Sequence, residues 1–510
     1  MSAPSFVPGR EFELKFELPG AEIQRLGEVE RLKAASGDNH RKMLRSIYFD
    51  TPDHDLHKAR IALRLRNDGG KTWLQTVKTG AVINGVSDVG QFEALLDRCS
   101  PDLNRVGDKR LRRKMKKIRR NKPLAPVFET IVDRTTRMIE KEDCTAELAL
   151  DEGRVEANGL SREISEAELE LCSGSVEGLL AIAREVFAGF SVRPSESSKA
   201  ALGYALLHPA KISDGPPHAA PIALRSSDRA DDAFAAILQS ASRHIIANER
   251  IVLERGDVEA IHQMRVGLTR LRSALRSIRP YADARWIREL ESDAQNAART
   301  VGVLRDADVL IAEIYTPIAE QNSAVPGFPG LLEALNAHRA AAYKEVVDNL
   351  RAGAWPRLLV TMLLGPLLLK TGGGLDEPIK KVASESLMRC WKKVSSYGER
   401  IDALDLEERH SMRKALKKLR YNCEFFQTLY GRKAQDFVKR LKTLQDLFGA
   451  INDARLAERL AGIALERATD TKALIAAGYI MGRHEADVPH VWSKAKGEWK
   501  RLEKAAGFWC

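Results

Sequence analysis

The residues Glu11-Phe12-Glu13-Leu14-Lys15-Phe16 alternate charge and hydrocarbon with a period of two, and the pattern recurs often enough in the first 205 residues to restrict the fold. Arg64 and Arg66 alternate with Leu63 and Leu65, and Lys78 ends the strand-like TWLQTVK. Arg134 lies in FETIVDRTTRMI, and Glu147 and Asp151 flank Leu148 and Leu150. Glu166, Glu168 and Glu170 alternate with Ala167, Leu169 and Leu171. Successive strand side chains point to opposite faces, so each segment carries its charges on one face. A single such strand describes an ordinary sheet with a solvated outer face. Several strands, each with its own ordered set of charges, are better satisfied by a barrel whose charged faces point inward. Their apolar faces then pack outward under helices such as 20–33 and 175–187. Enclosed charges are costly unless paired or liganded, and phosphates with divalent cations satisfy both signs.

The second half has a different texture. Residues 228–508 read as long amphipathic helices rich in Ala, Leu, Arg and Lys, and the Pro, Gly and Ser content of 208–229 marks a linker. The helical half contains an internal repeat. IHQMRVGLTRLRSALRSIRPY from Ile261 matches RHSMRKALKKLRYNCEFFQTLY from Arg409, and VGVLRDADVLIAE from Val301 matches FGAINDARLAERL from Phe448. His262 aligns with His410 at an offset of 148, and Asp306 with Asp453 at 147, so duplication of a helical unit is the natural explanation. His262, Arg265, Thr269, Arg272 and Arg276 form one helical stripe, and His410, Arg413, Lys414, Lys417 and Tyr421 the matching one. One basic stripe is ordinarily a solvated helix face. Two, placed symmetrically, build a long cationic groove.

A net charge of +11 favours acidic partners, while 70 acidic residues show that the chain is no simple basic tail. The six cysteines form no CxxC pair, which argues against a zinc site and a disulfide framework and fits a reducing cytoplasm. The N-terminal MSAPSFVPGREFELKF lacks the apolar core of a signal peptide. The apolar run 358–369 is too short to span a bilayer and is broken by Gly365-Pro366, so it reads as a buried helix. KRLRRKMKKIRR (109–120) reads as a solvated helix bridging two strands.

With these residues in view, the first half resembles the CYTH domain, also called the triphosphate tunnel metalloenzymes. The resemblance rests on ExExK at Glu11–Lys15, on YFDTPDHDLHKARIALRLR (48–66), VFETIVDRTTR (127–137), AELALDEG (146–153), ISEAELELCSG (164–174) and SSKAALGYALL (197–207). It covers residues 8–207 and implies an eight-stranded antiparallel β tunnel flanked by helices. It also implies Lys15, Arg64, Arg66, Lys78, Arg134 and Lys199 as phosphate clamps, Lys15 among the catalytic groups. Glu11, Glu13, Glu168 and Glu170 would hold Mg²⁺ or Mn²⁺, supported by Glu93, Glu147 and Asp151, and Glu168 or Glu170 would accept the proton of the attacking water. Gln91 stands where the family often carries a basic residue, and Glu166 is placed at the tunnel mouth.

The second half, 230–508, resembles the CHAD domain, which implies an all-α domain of two pseudo-symmetric four-helix bundles, about 230–345 and 375–508, that binds inorganic polyphosphate. The matching positions are His262, Arg265, Arg270, Arg272, His410, Arg413, Lys417, Lys418 and Arg420. Arg305 and Arg455 would add to the groove, and Asp306 and Asp453 would orient arginines. The whole is thus expected to be an α+β multidomain triphosphatase with a polyphosphate-binding module and no membrane span, cytoplasmic or associated with polyphosphate granules. An adenylate cyclase-like enzyme using ATP and a non-catalytic polyphosphate-granule scaffold are the alternatives. Nucleic acid is disfavoured because few aromatic residues interleave with the basic stripes.

Overall fold

Strands with one charged and one apolar face can bury both only by closing on themselves under a helical cover, and that is the architecture of the N-terminal unit. The structure, a computed structural model, describes residues 10–29, 40–80, 82–83, 85–195, 197–208, 215–351, 353–372 and 375–509. The start of the expected 8–207 domain, the end of the expected 20–33 helix, residues 209–214 of the linker and Cys510 lie outside the described residues.

The strands are β1 (Arg10–Glu17), β2 (His40–Asp50), β3 (Ile61–Asn67), β4 (Trp73–Thr79), β5 (Val82–Ile83), β6 (Val86–Leu96), β7 (Ala125–Lys141), β8 (Cys144–Ala157), β9 (Leu160–Ser173) and β10 (Arg193–Pro194). Neighbours run β1-β9-β8-β7-β2-β3-β4-β6, all antiparallel, and β6 returns to β1. The result is a closed eight-stranded antiparallel barrel, with the short β10 added to β1 and the short β5 to β6. Closure leaves the eight strands without a free edge.

Helices cover the outer apolar faces. Val176–Val186, capped by the Ser175 hydroxyl accepting from the Gly178 N–H, buries Leu179, Leu180, Ile182, Ala183 and Val186. Its C-terminal Phe187 packs in a tilted contact, ring centroids 4.5 Å apart, on Phe16 from the apolar face of β1. Lys109–Arg119 sits between β6 and β7 in sequence and buries Leu111 and Met115 against Leu63, Leu65 and Val77. Its lysines and arginines stay at the surface, as the basic run at 109–120 suggested. Lys199–Leu207 lies on β7, β8 and β9; a Cβ at Gly203 would come within 2.2 Å of the Phe128 ring, so only glycine permits this approach.

The chain divides into two compact units, 1–215 with 351–371, and 216–350 with 372–510. The apolar run read as a buried helix forms Trp355–Thr371, buried over most of its length. This helix lies between the two helical repeats in sequence yet belongs to the N-terminal unit, where it packs on Val176–Val186. Arg184 donates to the Thr361 hydroxyl at 2.9 and 3.1 Å, which anchors the pair. Among the described residues no single helix is long and apolar enough to cross a membrane.

The second unit is all-helical. Ala230–Arg255, Val258–Ile278, Arg285–Val309 and Phe328–Arg351 form one series, Ile379–Gly398, Leu406–Tyr430, Arg432–Ala457 and Lys472–Glu503 the other, with shorter helices between. The two series start side by side: Ala230 N–H donates to the Glu377 carbonyl and Ile379 N–H to the Asp228 carbonyl, flanking the bridge between Arg229 and Pro378. Val258–Ile278 and Leu406–Tyr430, the two helices that carry the repeated basic stripes, pack against each other.

Candidate functional site

Barrel register decides what the charged faces meet. Across β1, β9 and β8, Glu13 is opposite Glu170 and Glu170 is opposite Glu147, so one cross-strand row holds three glutamates. Two residues along, Lys15 is opposite Glu168, and further on Glu166 pairs with Asp151 and Asp151 with Arg134. On the other wall Arg64 is opposite Thr76, and Lys78 is opposite Gln91. These faces enclose a cavity of about 630 Å³. Each of Lys15, Arg64, Arg66, Lys78, Arg134 and Lys199 lines it, as do Glu11, Glu13, Glu93, Glu147, Glu168 and Glu170.

The carboxylates divide into two groups. Glu168 is held by three cations: it accepts from Lys15, from Lys199 at 2.8 Å and from Arg134 at 2.5 Å. Burial works against its charge, but Lys15, Lys199 and Arg134 outweigh it and hold the carboxyl well below the usual range. Asp151, fully buried behind the cavity, takes a two-pronged contact from Arg134 at 2.7 and 2.6 Å and lies 2.7 Å from Lys199. Glu166 is 2 % exposed and accepts from Lys199 at 2.7 Å, so it lies deep in the barrel and not at the mouth where the sequence reading put it.

Glu11, Glu13 and Glu170 form the other group, each offering an oxygen within 4.8 Å of the others. Burial and then the nearby Glu11 and Glu13 push Glu170 up to about 7. Glu13 is raised as well, chiefly by burial. Glu11 Oε2 and Glu13 Oε1 are buried without a hydrogen bond, although Lys78 and Lys15 nitrogens stand 2.6 and 3.2 Å away. Crowded hard oxygens with unused lone pairs fit a divalent cation such as Mg²⁺ or Mn²⁺. This separates the roles grouped by sequence. Glu170 stands with Glu11 and Glu13, whereas Glu168 and Asp151 are occupied by lysine and arginine and serve to fix those cations. Glu147 adjoins Glu170 in the same row, and Glu93 accepts from the Thr76 hydroxyl at 3.2 Å on the far wall.

The cations are arranged to meet an anion. Burial, Arg64 and Arg134 all press against the charge of Arg66. Arg64 Nε is buried without a partner. Gln91, where a basic residue was expected, directs a buried, unpaired Oε1 at the same space. Sequence reasoning missed Tyr48, Arg60, His57 and Tyr204 as lining residues. Tyr48 alternates with Ile47 and Phe49 in an apolar run that carries no charge signal, and only the barrel brings it opposite Arg64. His57 and Tyr204 stack at 3.8 Å, joined through Asp50, which accepts from the His57 N–H at 3.0 Å and the Tyr204 hydroxyl at 2.7 Å.

The helical unit holds its own cavity of about 1030 Å³ between the paired basic helices. His262, Arg265, Thr269, Arg270 and Arg305 line it from one series, and His410, Arg413, Lys417, Arg420 and Tyr421 from the other. Most of its arginines are paired: Arg265 with Asp306 at 2.9 Å, Arg270 and Arg420 with Glu424 at 2.7 and 2.8 Å, Arg305 with Glu313 at 2.6 Å. Asp306 thus orients an arginine as expected. Arg413 keeps a buried Nε without a partner. Burial, with Arg413, Arg265 and Arg420 beside it, brings Lys417 down to about 7. Four expected groove residues turn elsewhere. Arg272 donates to Gln295 and Arg276 to Glu291, because the helix Arg285–Val309 packs on that flank with those acceptors. Lys418, one residue round the helix from Lys417, lines a separate pocket. Arg455 pairs with Glu407 at 2.9 Å and lies outside the residues lining the cavity.

Comparison with known proteins places both units. Residues 9–204 match the CYTH domain and residues 236–462 the CHAD domain. The inorganic triphosphatase of Haemophilus influenzae is 28 % identical over 164 residues, which are 32 % of this chain and 46 % of that protein. The chain therefore spans less than half the length of this curated relative. The crystal structure of the CHAD domain from the plant Ricinus communis is 29 % identical, covers 56 % of this chain and 97 % of its own, and superposes with a TM-score of 0.50.

Proposed function

We propose, on the premise that this chain carries a CYTH domain followed by a CHAD domain, that it hydrolyses inorganic triphosphate or a related short triphosphate compound and binds inorganic polyphosphate through its helical unit. The observation that carries the first part is the barrel cavity, where the Glu11, Glu13 and Glu170 cluster and an arc of lysines and arginines line one enclosed space. A triphosphate chain needs cationic contacts along its length and a metal at the cleaved bond. A divalent cation held by Glu11, Glu13 and Glu170 would neutralise phosphate oxygens and make water a better nucleophile.

The chain's own residues supply the rest. Arg64, Arg66 and Arg134 bind phosphate oxygens, and Lys15, Lys78 and Lys199 add point charges. Glu168 and Asp151 hold Lys15, Arg134 and Lys199 in place, so those cations reach the substrate already oriented. The same cations stabilise the departing pyrophosphate or orthophosphate. Of the two carboxylates expected to take a proton from water, Glu168 is locked by Lys15, Lys199 and Arg134, which leaves Glu170 for that role.

Polyphosphate binding is supported by the second cavity, where the unpaired Arg413 Nε and Lys417 look into a groove built by both repeats. Phosphate-release assays with triphosphate, ATP and polyphosphate, each with and without Mg²⁺ or Mn²⁺, test the catalytic reading. Pyrophosphate and cyclic AMP as the products from ATP would favour the cyclase instead.

A further inference from the structure

We propose that the helical unit carries a small-phosphate site separate from the long groove, in the pocket between Val258–Ile278 of the first series and Ile379–Gly398 and Leu406–Tyr430 of the second. The pocket has a volume of about 240 Å³. Arg276, Arg389, Lys393 and Lys418 line it, and among the described residues no carboxylate does. The acids nearest these cations leave an excess of positive charge: Glu291 holds Arg276 at 2.6 Å, and Glu385 stands 3.9 Å from Arg389 and accepts from Tyr281. The floor is polar. Ser277 and Ser386, both 2 % exposed, donate to the Asn422 side-chain oxygen at 2.8 and 3.0 Å. Four cations, of which Glu291 answers one, around a polar floor call for a compact polyanion, and the space suits one or two phosphate groups better than a chain.

The duplication argues that this is more than a by-product of the groove. At the repeat offset of 148, Ala415 corresponds to Gly267 and Lys418 to Arg270. Gly267 lets its helix come so close to the neighbouring one that a Cβ would meet Ile245 at 2.7 Å, and Arg270 is tied to Glu424 at 2.7 Å. From the paired helix starts at Arg229 and Pro378, Ser386, Arg389 and Lys393 correspond to Ile237, Ser240 and His244. The corresponding place in the first series is therefore closed and holds one neutralised cation, while this pocket is open and takes Arg389, Lys393 and Lys418 from the second series, beside Arg276, which Glu291 holds. The groove residues repeat; these do not. The ligand assigned is inorganic pyrophosphate or orthophosphate, or the phosphate end of an ester of that size.

The test uses the full chain with EDTA present and pyrophosphate as the probe. Acylation of Lys418 by a water-soluble reagent is followed by peptide mass spectrometry with and without saturating pyrophosphate. Occupancy should slow Lys418 labelling about fivefold or more, in the wild type and equally in Arg413→Ala, whose lesion lies in the groove. Lys393 is exposed, so Lys393→Glu should fold normally, retain its melting temperature and lose the protection. Unchanged Lys418 labelling in the wild type would overturn the proposal. So would protection that survives Lys393→Glu or disappears in Arg413→Ala, since either would place the anion elsewhere. Parallel runs with orthophosphate and sulfate separate a phosphate site from a site for any oxyanion, and equal protection by sulfate would reject the phosphate assignment.

Discussion

Glu13 on β1 and Glu170 on β9 are register partners on adjacent strands, two carboxylates side by side at one end of a row that continues to Glu147. A protein places like charges side by side at a cost, and a divalent ligand repays it. Glu13→Ala and Glu170→Ala should each lower metal-dependent phosphate release by about 100-fold or more while leaving the melting temperature unchanged or raised, because each removes a charge that repels its neighbours. Steady-state assays at saturating metal, with circular dichroism as the folding control, read both effects.

Glu168 predicts the opposite stability effect. It answers Lys15, Lys199 and Arg134 in a buried setting, so Glu168→Ala leaves three buried cations with Asp151, Glu166 and Glu13 alone and should destabilise the metal-free chain by up to about 3–5 kcal/mol. Its folded pKa lies below the unfolded value, so its stabilising contribution is complete above the ordinary carboxylate range and is lost as pH falls through the depressed value. Added pyrophosphate should restore part of the melting temperature of Glu168→Ala by replacing the missing negative charge. Denaturant titration and thermal melts measure these shifts.

Much of this was legible in the sequence. Period-two charge pointed to a closed barrel with inward charged faces, and the resemblance supplied the strand number. Twelve of the charged positions named for the barrel line its cavity, while Asp151 is buried behind it. What alternation could not provide was the partition among carboxylates. Glu168 and Glu170 share a face, and only the register of β1 and β9, which sets one against Lys15 and the other against Glu13, separates a cation holder from a ligand. In the helical half, periodicity found the stripes but not their flanks: Arg272 and Arg276 are claimed by the neighbouring helix Arg285–Val309 and Lys418 turns to a separate pocket, which no pattern within a single helix reveals. Nor does hydrophobicity say what Trp355–Thr371 packs against; its place in the N-terminal unit depends on Val176–Val186, far away in sequence.

Lys417 gives the groove a pH dependence. Its folded pKa of about 7 lies below the ordinary lysine value, so at alkaline pH a bound polyanion must draw in a proton. Affinity for polyphosphate should rise as pH falls from 8 to 6, and binding near pH 7.5 should take up protons. Asp453, raised to about 6 by burial and Glu313, gains its proton over the lower part of the range, while burial pushes His262 and His410 down from the ordinary imidazole value. Lys417→Arg isolates the lysine: it should flatten the change between pH 7 and 8 and leave that below pH 6.5. Calorimetry in buffers of different ionisation enthalpy counts the protons.

The two units should be separable in function. Arg413→Ala combined with His410→Ala removes two groups facing the groove and should weaken polyphosphate binding about tenfold or more, with a shallower salt dependence. Hydrolysis of triphosphate by the same variant should be unchanged. Filter binding across a salt series and the phosphate-release assay read the two properties independently.

The most direct measurement is phosphate release from inorganic triphosphate by the purified chain, with Mg²⁺ or Mn²⁺ and then with EDTA, beside Glu13→Ala and Glu170→Ala. Release that requires the metal and vanishes in both variants is the predicted result. Release that persists in either variant, or the absence of metal-dependent release from triphosphate, ATP and thiamine triphosphate alike, would contradict the assignment of the barrel as a metal-dependent triphosphate site.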